Sequence, residues 1–243
     1  MNHAGLKDLV GILTGPTKGI GRAIALSLAE QGTHLCLVAR NAEGLKRISN
    51  EVEHCGVKSL PIACDLVDPD VPAGIVDQTV AHFGQLDILI NNAGIALNAP
   101  IERIDASALD SLMAVNARAP FLLCSHAVPH LRKSRRASIV NIASVAAHKG
   151  YLHEAAYAAS KHALLGMTKV LAKELQPDNI RVHAVSPGGV DTPMIEQVRP
   201  EVDKSSLMAP SEIAEVVMFL LTQRGNAVID EVRLRRQTSD PVF

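Results

Sequence analysis

The sequence has almost no aromatic side chains: its 243 residues include no tryptophan, two tyrosines and four phenylalanines. Single-stranded nucleic acids are commonly bound by stacking of bases on aromatic rings, so a site of that kind is excluded. The formal net charge of −1 also provides no electrostatic attraction to nucleic acid or to an anionic membrane. We therefore expect an aliphatic core and neither a nucleic-acid nor a membrane partner.

Cysteine is scarce, and no two cysteines form a CxxC pair. The four are Cys36, Cys55, Cys64 and Cys124. This scatter predicts reduced thiols rather than disulfides or a metal site. His126 and His130 stand at helical spacing but have Pro129 between them and no carboxylate or cysteine at ligand spacing, so no metal is expected.

Long hydrophobic runs are also missing from the sequence. The first ten residues carry charges and lack the apolar segment of a signal peptide. No uncharged apolar run is long enough to span a bilayer. Together with the cysteine usage, these features predict a cytoplasmic protein.

Short apolar runs instead alternate with helical patterns along the chain. The predicted strands are 9–13, 34–39, 59–63, 87–90, 138–143, 181–185 and 227–234. The predicted helices are 22–31, 42–55, 75–83, 106–131, 210–222 and one that carries Tyr157 and ends near residue 175. Such alternation predicts an α/β fold: a single Rossmann-type, doubly wound parallel sheet with helices on both faces. No linker or repeat divides the chain, so we expect one domain over residues 1–243, with 227–234 as an edge strand.

Every unusual segment of the sequence follows the carboxyl end of a predicted strand. These segments are 15–21, Arg40, Asp65, 91–94, Ser144 and 187–188. Ligands of doubly wound sheets bind at the carboxyl ends of the strands. The sequence therefore predicts one site at that edge.

The first of these segments has the pattern Gly-x-x-x-Gly-x-Gly, with glycines at 15, 19 and 21 between a strand and a helix. Glycines allow a tight turn and a close approach of the backbone to a pyrophosphate, and the helix N-terminus supplies free N–H groups. The spacing differs from the more common G-x-G-x-x-G pattern. Its position after the first strand nevertheless predicts dinucleotide binding.

Arg40 stands where an NAD site usually has an acidic residue that binds the ribose 2′-hydroxyl. A guanidinium suits a 2′-phosphate, and Lys18 in the glycine turn is a second cation. These two residues predict NADP(H) as the cofactor. The alternative is that Arg40 is an ordinary surface cation.

Tyr157 and Lys161 are four residues apart on a predicted helix, so both side chains leave the same face. A free phenol has a pKa of about 10, and a neighbouring cation lowers it. The pair predicts a general acid/base, and Ser144 could hydrogen-bond the same reacting oxygen. Taken alone, such a pair is more often a solvated helix face.

Taken together and in this order, these segments resemble the short-chain dehydrogenase/reductase family. The matching residues are Thr14 to Gly21, Asp65, Asn91 to Gly94, Asn116, Ser144, Tyr157 to Lys161, Pro187 and Gly188. The resemblance implies that Tyr157 donates a proton to a carbonyl oxygen that Ser144 holds. It further implies that Lys161 binds the nicotinamide ribose and lowers the tyrosine pKa, and that Asn116 anchors a water in a proton relay.

The resemblance also implies a set of cofactor-binding residues. These are Gly15, Thr17, Lys18, Gly19, Ile20, Gly21, Arg40, Asp65, Leu66, Asn91, Ala93, Gly94, Tyr157, Lys161, Pro187, Gly188, Val190 and Thr192. Within this set, Asp65 would meet the adenine amino group, and Val190 and Thr192 would meet the carboxamide.

The implied activity is NADPH-dependent reduction of a ketone to a secondary alcohol, as in 3-oxoacyl-[acyl-carrier-protein] reductases. One alternative is an NADP-dependent alcohol dehydrogenase that works in the oxidative direction. Another is a regulator that binds NADP without chemistry. Family analogy also implies a homodimer or homotetramer formed through the helices of Asn116 and Tyr157.

An acyl carrier protein is an uncertain partner. The basic run 132–136 could dock its acidic surface, or could be a solvated loop. The loop at 176–178 lacks the second cation that would support docking. His148 and His153 lie between Ser144 and Tyr157 and are candidates for contact with a small substrate.

Two segments depart from the family pattern. The segment between Thr192 and Pro210, where the family carries its substrate lid, is short and polar, so we expect an open site or a mobile lid. The tail at 228–236 lacks the common Asp-Gly-Gly ending, which puts the usual tetramer contacts in doubt.

Overall fold

The computed structural model describes residues 5–240 and contains a parallel sheet of seven strands in the order β3-β2-β1-β4-β5-β6-β7. The strands are β1 Val10–Thr14, β2 His34–Ala39, β3 Ser59–Ala63, β4 Ile88–Asn91, β5 Ser138–Ile142, β6 Arg181–Pro187 and β7 Glu231–Leu234. All six pairings are parallel. The order reverses between β1 and β4, which is where doubly wound sheets bind ligands. The predicted fold class is confirmed.

Eight α-helices connect and follow the strands in the described part of the chain. They are α1 Gly19–Glu30, α2 Ala42–Glu53, α3 Val71–Phe83, α4 Ala106–Met113, α5 Ala119–Leu131, α6 Ala155–Glu174, α7 Pro193–Val198 and α8 Pro210–Thr222. None of the helices between residues 5 and 240 has the length and apolarity needed to cross a membrane.

The core lies in two layers, one on each face of the sheet. Successive side chains of a strand point to opposite faces, so Leu13 packs with α1, α2 and α8, whereas Ile12 packs with α3 and α5. The same alternation places Leu37 in the first layer and Cys36 in the second. This two-sided burial explains why the strands are continuous apolar runs.

The expected single domain, residues 1–243, extends past the described residues at both ends, at 1–4 and 241–243, and stays a prediction. The predicted edge strand 227–234 is confirmed only for its last four residues, which pair with β6. A helix not predicted from the sequence, α7, occupies part of the supposed lid.

The predicted helix 106–131 is confirmed in its bounds, but a π-helical turn, Ala114–Arg118, separates α4 from α5 within it. Pro120 has no N–H to donate, so a regular helix would lose a hydrogen bond at this point. The side chain of Asn116, inside the π turn, hydrogen-bonds both backbone groups of Ile95 and the hydroxyl of Ser160. The interruption therefore turns a buried amide toward a loop at the carboxyl edge of the sheet.

A chain of buried polar groups connects α6 to the sheet. The amide of Asn91 on β4 donates to Asn141 Oδ1 on β5 at 2.8 Å, and Asn141 Nδ2 donates to Thr168 Oγ1 on α6 at 2.8 Å. Thr168 in turn donates to the carbonyl of Leu164 at 2.7 Å. Buried hydrogen-bond networks of this kind favour one arrangement of their elements, although Asn91 Oδ1 in this one has no partner among the described residues. This one fixes the helix that carries Tyr157.

Gly21 allows α1 to start directly against the loop after β1. A Cβ atom at this position would overlap the carbonyl oxygen of Gly15 and the Asn92 amide. Neither obstacle is the end of a flexible side chain on an open surface, because the Asn92 amide is itself bonded to the Thr14 and Gly15 carbonyls. The close contact between helix and loop thus depends on the absence of a side chain.

We expect Gly21→Ala to lower the free energy of unfolding by roughly 1 to 3 kcal/mol, because the added methyl forces α1 away from the loop. The matched control is Gly74→Ala on α3, whose added Cβ would meet only Gln78 Nε2 at 3.8 Å. That change should stabilise the protein by up to about 1 kcal/mol. Urea denaturation measures both, and equal midpoints for the two variants would contradict the packing argument.

Candidate active site

A cavity of about 580 Å³ lies at the carboxyl ends of the strands. Its lining comes from the ends of β1 to β6, from α7 and from the tail after β7. The predicted residues that line it are Gly15, Thr17, Lys18, Gly19, Ile20, Gly21, Arg40, Asp65, Leu66, Ala93, Gly94, Ser144, Tyr157, Lys161, Pro187, Gly188, Val190 and Thr192. Two predicted residues, Asn91 and Asn116, lie behind this lining.

The glycine turn between β1 and α1 forms one wall of the cavity. Gly15 and Gly19 have φ values of +69° and +54°, in the left-handed region that favours glycine. A Cβ atom on Gly19 would lie 2.9 Å from Thr192 Cγ2, so the turn and the loop after β6 are in contact. The first turn of α1 contains no acidic residue that would compete with an anion. This wall fits the pyrophosphate of a dinucleotide.

Asn92, which the sequence analysis did not single out, joins the loops after β1 and β4. Its Nδ2 donates to the carbonyls of Thr14 and Gly15 at 2.9 and 3.0 Å. Thr14 Oγ1 accepts from the backbone N–H groups of Asn92 and Ala93 at 3.0 and 2.9 Å. The neighbouring Asn91 points into the sheet toward Asn141, so its contact with a cofactor stays a prediction.

Cations surround the end of the cavity beside β2 and β3. Arg40 Nη1 lies 3.8 Å from Asp65 Oδ2, and both side chains are at least half exposed, so this pair is weak. Lys18 and Arg47 line the same cavity. Arg47 was not predicted, although its basic side chain on α2, seven residues after Arg40, was the available signal. Three cations against one carboxylate favour an anionic ligand.

Tyr157 lies on the first turns of α6, where its side chain is half-buried and lines the cavity. Burial raises the pKa of Tyr157 to about 12, a hydrogen bond with Ser144 opposes this rise, and the Glu154 carboxylate adds to it. Loss of solvation is the largest cause of this rise, so the expected lowering of the phenol pKa, which involves Lys161 together with the positively charged nicotinamide, stays a prediction. The phenol is protonated at neutral pH.

Lys161 is also buried, and its ammonium is directed to the end of β5. Its Nζ donates to the carbonyl of Ile142 at 2.8 Å and lies 5.9 Å from the centre of the Tyr157 ring. Burial lowers the pKa of Lys161 to about 8, because the charged form loses water. The side chain therefore changes between its charged and neutral forms at a pH slightly above neutral.

Asn116 and Lys161 meet at Gly94. A Cβ atom on Gly94 would lie 3.3 Å from Asn116 Oδ1 and 3.6 Å from Lys161 Nζ. Both N–H groups of the Asn116 amide are used, one on the Ile95 carbonyl at 2.8 Å and one on Ser160 Oγ at 2.9 Å. Asn116 thus fixes the backbone beside Lys161, and its part in a water relay stays a prediction.

The two candidate histidines lie outside the cavity lining. His148 Nε2 lies 2.5 Å from Glu231 Oε1 on β7, which also accepts a hydrogen bond from Ser186 Oγ at 2.7 Å. The expected substrate contact of His148 is therefore wrong, because β7 supplies its partner. His153 has a φ of +64° and offers its carbonyl to the N–H of Ala99.

The segment expected to leave the site open instead covers part of the cavity. Helix α7 and the residues after it contribute Met194, Ile195, Val198 and Arg199 to the lining. Arg199 Nη1 bonds Glu154 Oε1, at the start of α6, at 3.2 Å. The expectation of an open site is wrong, because this ion pair connects the segment to the helix of Tyr157.

The cysteines and histidines form no metal centre in the described part of the chain. Within residues 5–240, no group of three or more His, Cys, Asp or Glu side chains is placed to hold an ion. Burial raises the pKa of Cys36 and of Cys124 to about 12, so both stay neutral thiols at physiological pH.

Known proteins with similar sequences and structures were then compared with this chain. Residues 10–203 match the family model described as short chain dehydrogenase. The 3-oxoacyl-[acyl-carrier-protein] reductase FabG of Thermotoga maritima is 34% identical over 235 residues, which cover 93% of this chain and 96% of that protein.

Solved structures agree with this match. A metagenomic short-chain oxidoreductase in complex with NADP superposes with a TM-score of 0.84 at 33% identity, over 96% of this chain and 99% of that one. A short chain dehydrogenase from Mycobacterium paratuberculosis bound to NAD gives a TM-score of 0.85 at 26% identity, over 95% and 97% of the two chains.

The raised pKa of Tyr157 can be measured directly, because the sequence contains only two tyrosines and no tryptophan. In a Tyr151→Phe variant, the ultraviolet absorbance of phenolate reports Tyr157 alone. We expect no phenolate until the pH is well above about 10, the value of a free phenol. Circular dichroism shows at each pH whether the protein is still folded. Phenolate absorbance from the folded variant below pH ~10 would contradict the burial argument.

Proposed function

Because the chain belongs to the short-chain dehydrogenase/reductase family, we propose that it is an NADPH-dependent oxidoreductase that reduces a ketone to a secondary alcohol. The observation that carries this proposal is the meeting of Ser144, Tyr157 and Lys161 in one cavity with the glycine turn. A phosphate-binding turn alone would serve any nucleotide protein, whereas a phenol, a hydroxyl and an ammonium beside it suit proton transfer.

The proton donor in this reaction is Tyr157. When bound, the reduced nicotinamide supplies a hydride to the carbonyl carbon. The Tyr157 hydroxyl donates its proton to the carbonyl oxygen, and its raised pKa keeps that proton in place at neutral pH. Ser144 Oγ accepts a hydrogen bond from the N–H of Ala146 at 3.1 Å, and in the reaction its hydroxyl proton turns from the Tyr157 oxygen to the carbonyl oxygen of the substrate. Two donors then stabilise the charge that develops there.

Lys161 has a binding role and an electrostatic role in the proposal. It contacts the nicotinamide ribose, and its positive charge favours transfer of the Tyr157 proton. Because burial lowers the pKa of Lys161 to about 8, the ammonium loses its charge as the pH rises through that value. Asn116 positions Gly94 and Ile95 beside the ammonium through the Ile95 hydrogen bonds.

The preference for NADP rests on this chain's own side chains. One solved relative carries NADP and another carries NAD, so family membership leaves the cofactor open. Here Lys18, Arg40 and Arg47 line the adenine end of the cavity, with Asp65 as the carboxylate beside them. An additional phosphate would find cations there, which favours NADP.

The runner-up within the enzyme class is an NADP-dependent alcohol dehydrogenase that works in the oxidative direction, because the same residues catalyse both directions of a reversible hydride transfer. A regulator that binds NADP without chemistry would gain nothing from a protonated phenol beside Ser144 and Lys161. Turnover in the parent protein separates these alternatives.

We propose a small-molecule ketone rather than a carrier-bound one, although one relative is an acyl-carrier-protein reductase. In the basic run 132–136, Arg132 is paired with Asp178 at 2.8 Å, and Arg136 donates to the carbonyl of Gly5. Lys133 and Arg135 remain as exposed cations, which is a small surface for an acidic partner.

We also propose a cytoplasmic homodimer or homotetramer that associates through α5 and α6. Phe121 on α5 and Val170 on α6 are 56% and 54% exposed, and large apolar side chains on a helix surface favour association. A monomer in light scattering would refute this assembly.

The activity is tested by NADPH oxidation with a panel of β-keto esters and cyclic ketones. We expect turnover by the parent protein and a loss of about a hundredfold to ten-thousandfold in kcat for Tyr157→Phe, since the proton donor is removed. Tyr151→Phe, which changes the other tyrosine of the same cavity, is the control. NADP binding without turnover in the parent protein would instead favour the regulator.

The cofactor preference is tested with Arg40→Asp. A carboxylate at this position repels the 2′-phosphate and can accept a hydrogen bond from the ribose hydroxyl, so the NADPH/NADH ratio of kcat/KM should fall by about tenfold or more. Lys46→Asp on the exposed side of α2 makes the same charge change outside the cavity and should leave the ratio unchanged. An unchanged ratio in Arg40→Asp would refute the assignment of Arg40.

A further inference from the structure

The segment after β7 returns over the cavity of the active site. The carbonyl of Leu234, the last residue of β7, accepts a hydrogen bond from the N–H of Gly188 at 2.8 Å. The chain then continues past the loop after β6, so that Arg235, Arg236, Ser239 and Asp240 join the cavity lining. This is the tail that lacks the Asp-Gly-Gly ending.

Arg236 is held in place by neutral groups. A Cβ atom on Gly189 would lie 3.3 Å from Arg236 Cδ, so the stem of the arginine packs on the loop after β6. Its Nη1 donates to Ser206 Oγ at 3.1 Å, and its Nε donates to Ser239 Oγ at 3.3 Å. These hydroxyls orient the guanidinium without neutralising it. Arg236 forms no salt bridge with any residue from 5 to 240.

Two cations of the segment between Thr192 and Pro210 have acidic partners. Arg199 pairs with Glu154 at 3.2 Å and with Glu201 at 2.8 Å, and Lys204 pairs with Glu196. Lys149, which also lines the cavity, lies 5.1 Å from the centre of the Tyr151 ring. Arg236 is thus an oriented positive charge that these neighbours leave uncompensated.

Arg235 has a different environment, although it is adjacent in the sequence. It is exposed, and its Nη1 donates to the carbonyls of residues 236, 237 and 239 at 3.2, 3.2 and 2.7 Å. Its hydrogen bonds fold the tail back on itself. Arg235 therefore has a structural function in the tail, whereas Arg236 presents its charge to a ligand.

We propose, building on the proposed reductase activity, that Arg236 binds an anionic group, a carboxylate or a phosphate, carried by the carbonyl substrate. A guanidinium presents several N–H donors in a plane and forms short, charge-assisted hydrogen bonds with either group. The Glu154 carboxylate at the start of α6 does not oppose such a substrate, because Arg199 neutralises it. The tail then acts as the specificity element of the site.

The cofactor is the competing source of an anion. The glycine turn and the cations Lys18, Arg40 and Arg47 supply its phosphate contacts in the proposed function, whereas Arg236 contacts Gly189 and Ser206 beside the lid. If Arg236 binds an anion of the substrate, then changes at Arg236 alter the affinity for substrate and leave the affinity for NADPH unchanged.

Matched pairs of ligands test the proposal by calorimetric binding to the NADP⁺-loaded protein, which needs no turnover. One pair is a γ-keto acid with its methyl ester, for a carboxylate. The other is acetoacetyl-coenzyme A with the acetoacetyl thioester of N-acetylcysteamine, for a phosphate. The proteins are the parent, Arg236→Gln, Arg236→Lys and the matched control Arg233→Gln, at an exposed arginine of β7 outside the cavity lining, each checked by thermal unfolding.

We expect the anionic member of one pair to bind the parent more tightly than its neutral counterpart. Arg236→Gln should weaken that binding by roughly tenfold to a hundredfold, as expected for a lost hydrogen bond to a charged group. Binding of the neutral member, and binding of either member by the Arg233→Gln protein, should be unaffected, and Arg236→Lys should retain part of the effect.

Three results would overturn the proposal: no preference of the parent for either anionic compound, an equal loss for both members of a pair, or a loss confined to NADPH. Calorimetry also separates this proposal from the proposed function. A protein that binds the anion through Arg236 but oxidises no NADPH refutes the reductase and keeps the anion site. A protein that turns over ketones but binds the anionic and neutral ligands equally keeps the reductase and refutes the anion site.

Discussion

The buried ammonium of Lys161 is the constraint on which the active site depends. Its hydrogen bond to the carbonyl of Ile142, at 2.8 Å, joins α6 to the end of β5 at the wall of the cavity, where Lys161 is buried. A cation in such a place loses solvation, and this lowers its pKa to about 8. The same burial raises the pKa of the Tyr157 phenol. One desolvated region thus shifts the pKa values of Lys161 and Tyr157 in opposite directions, each toward the neutral form.

Polar networks on both sides of Lys161 hold the surrounding strands and helices in place. Asn91, Asn141 and Thr168 join β4, β5 and α6 through buried amide and hydroxyl groups. Asn116 connects the π turn to Ile95 and Ser160. Each amide has partners that only this arrangement supplies, so a shift of α6 would leave buried donors unsatisfied. The precision of the site comes from these hydrogen bonds, within an otherwise aliphatic core.

The cavity also has an asymmetric distribution of charge. At one end, Lys18, Arg40 and Arg47 come from the α1 and α2 side of the sheet, whereas Arg236 reaches the cavity from the tail after β7. Between them, Glu154 and Arg199 neutralise one another at 3.2 Å. Oriented cations favour anionic ligands. The two ends of the cavity are therefore suited to different anionic groups, one on the cofactor and one on the substrate.

The sequence by itself determined the sheet, the glycine turn and the pairing of Tyr157 with Lys161, because these follow from local periodicity and from spacing along one helix. Tertiary structure decided the sign of the Tyr157 pKa shift, since burial depends on what covers a side chain. It also decided the π turn at Asn116, the partner of His148 and the place of Arg236, whose contacts lie 21, 83 and 30 residues away in the chain. No local pattern encodes such distances, because they arise only when strands and tail meet at one edge of the sheet.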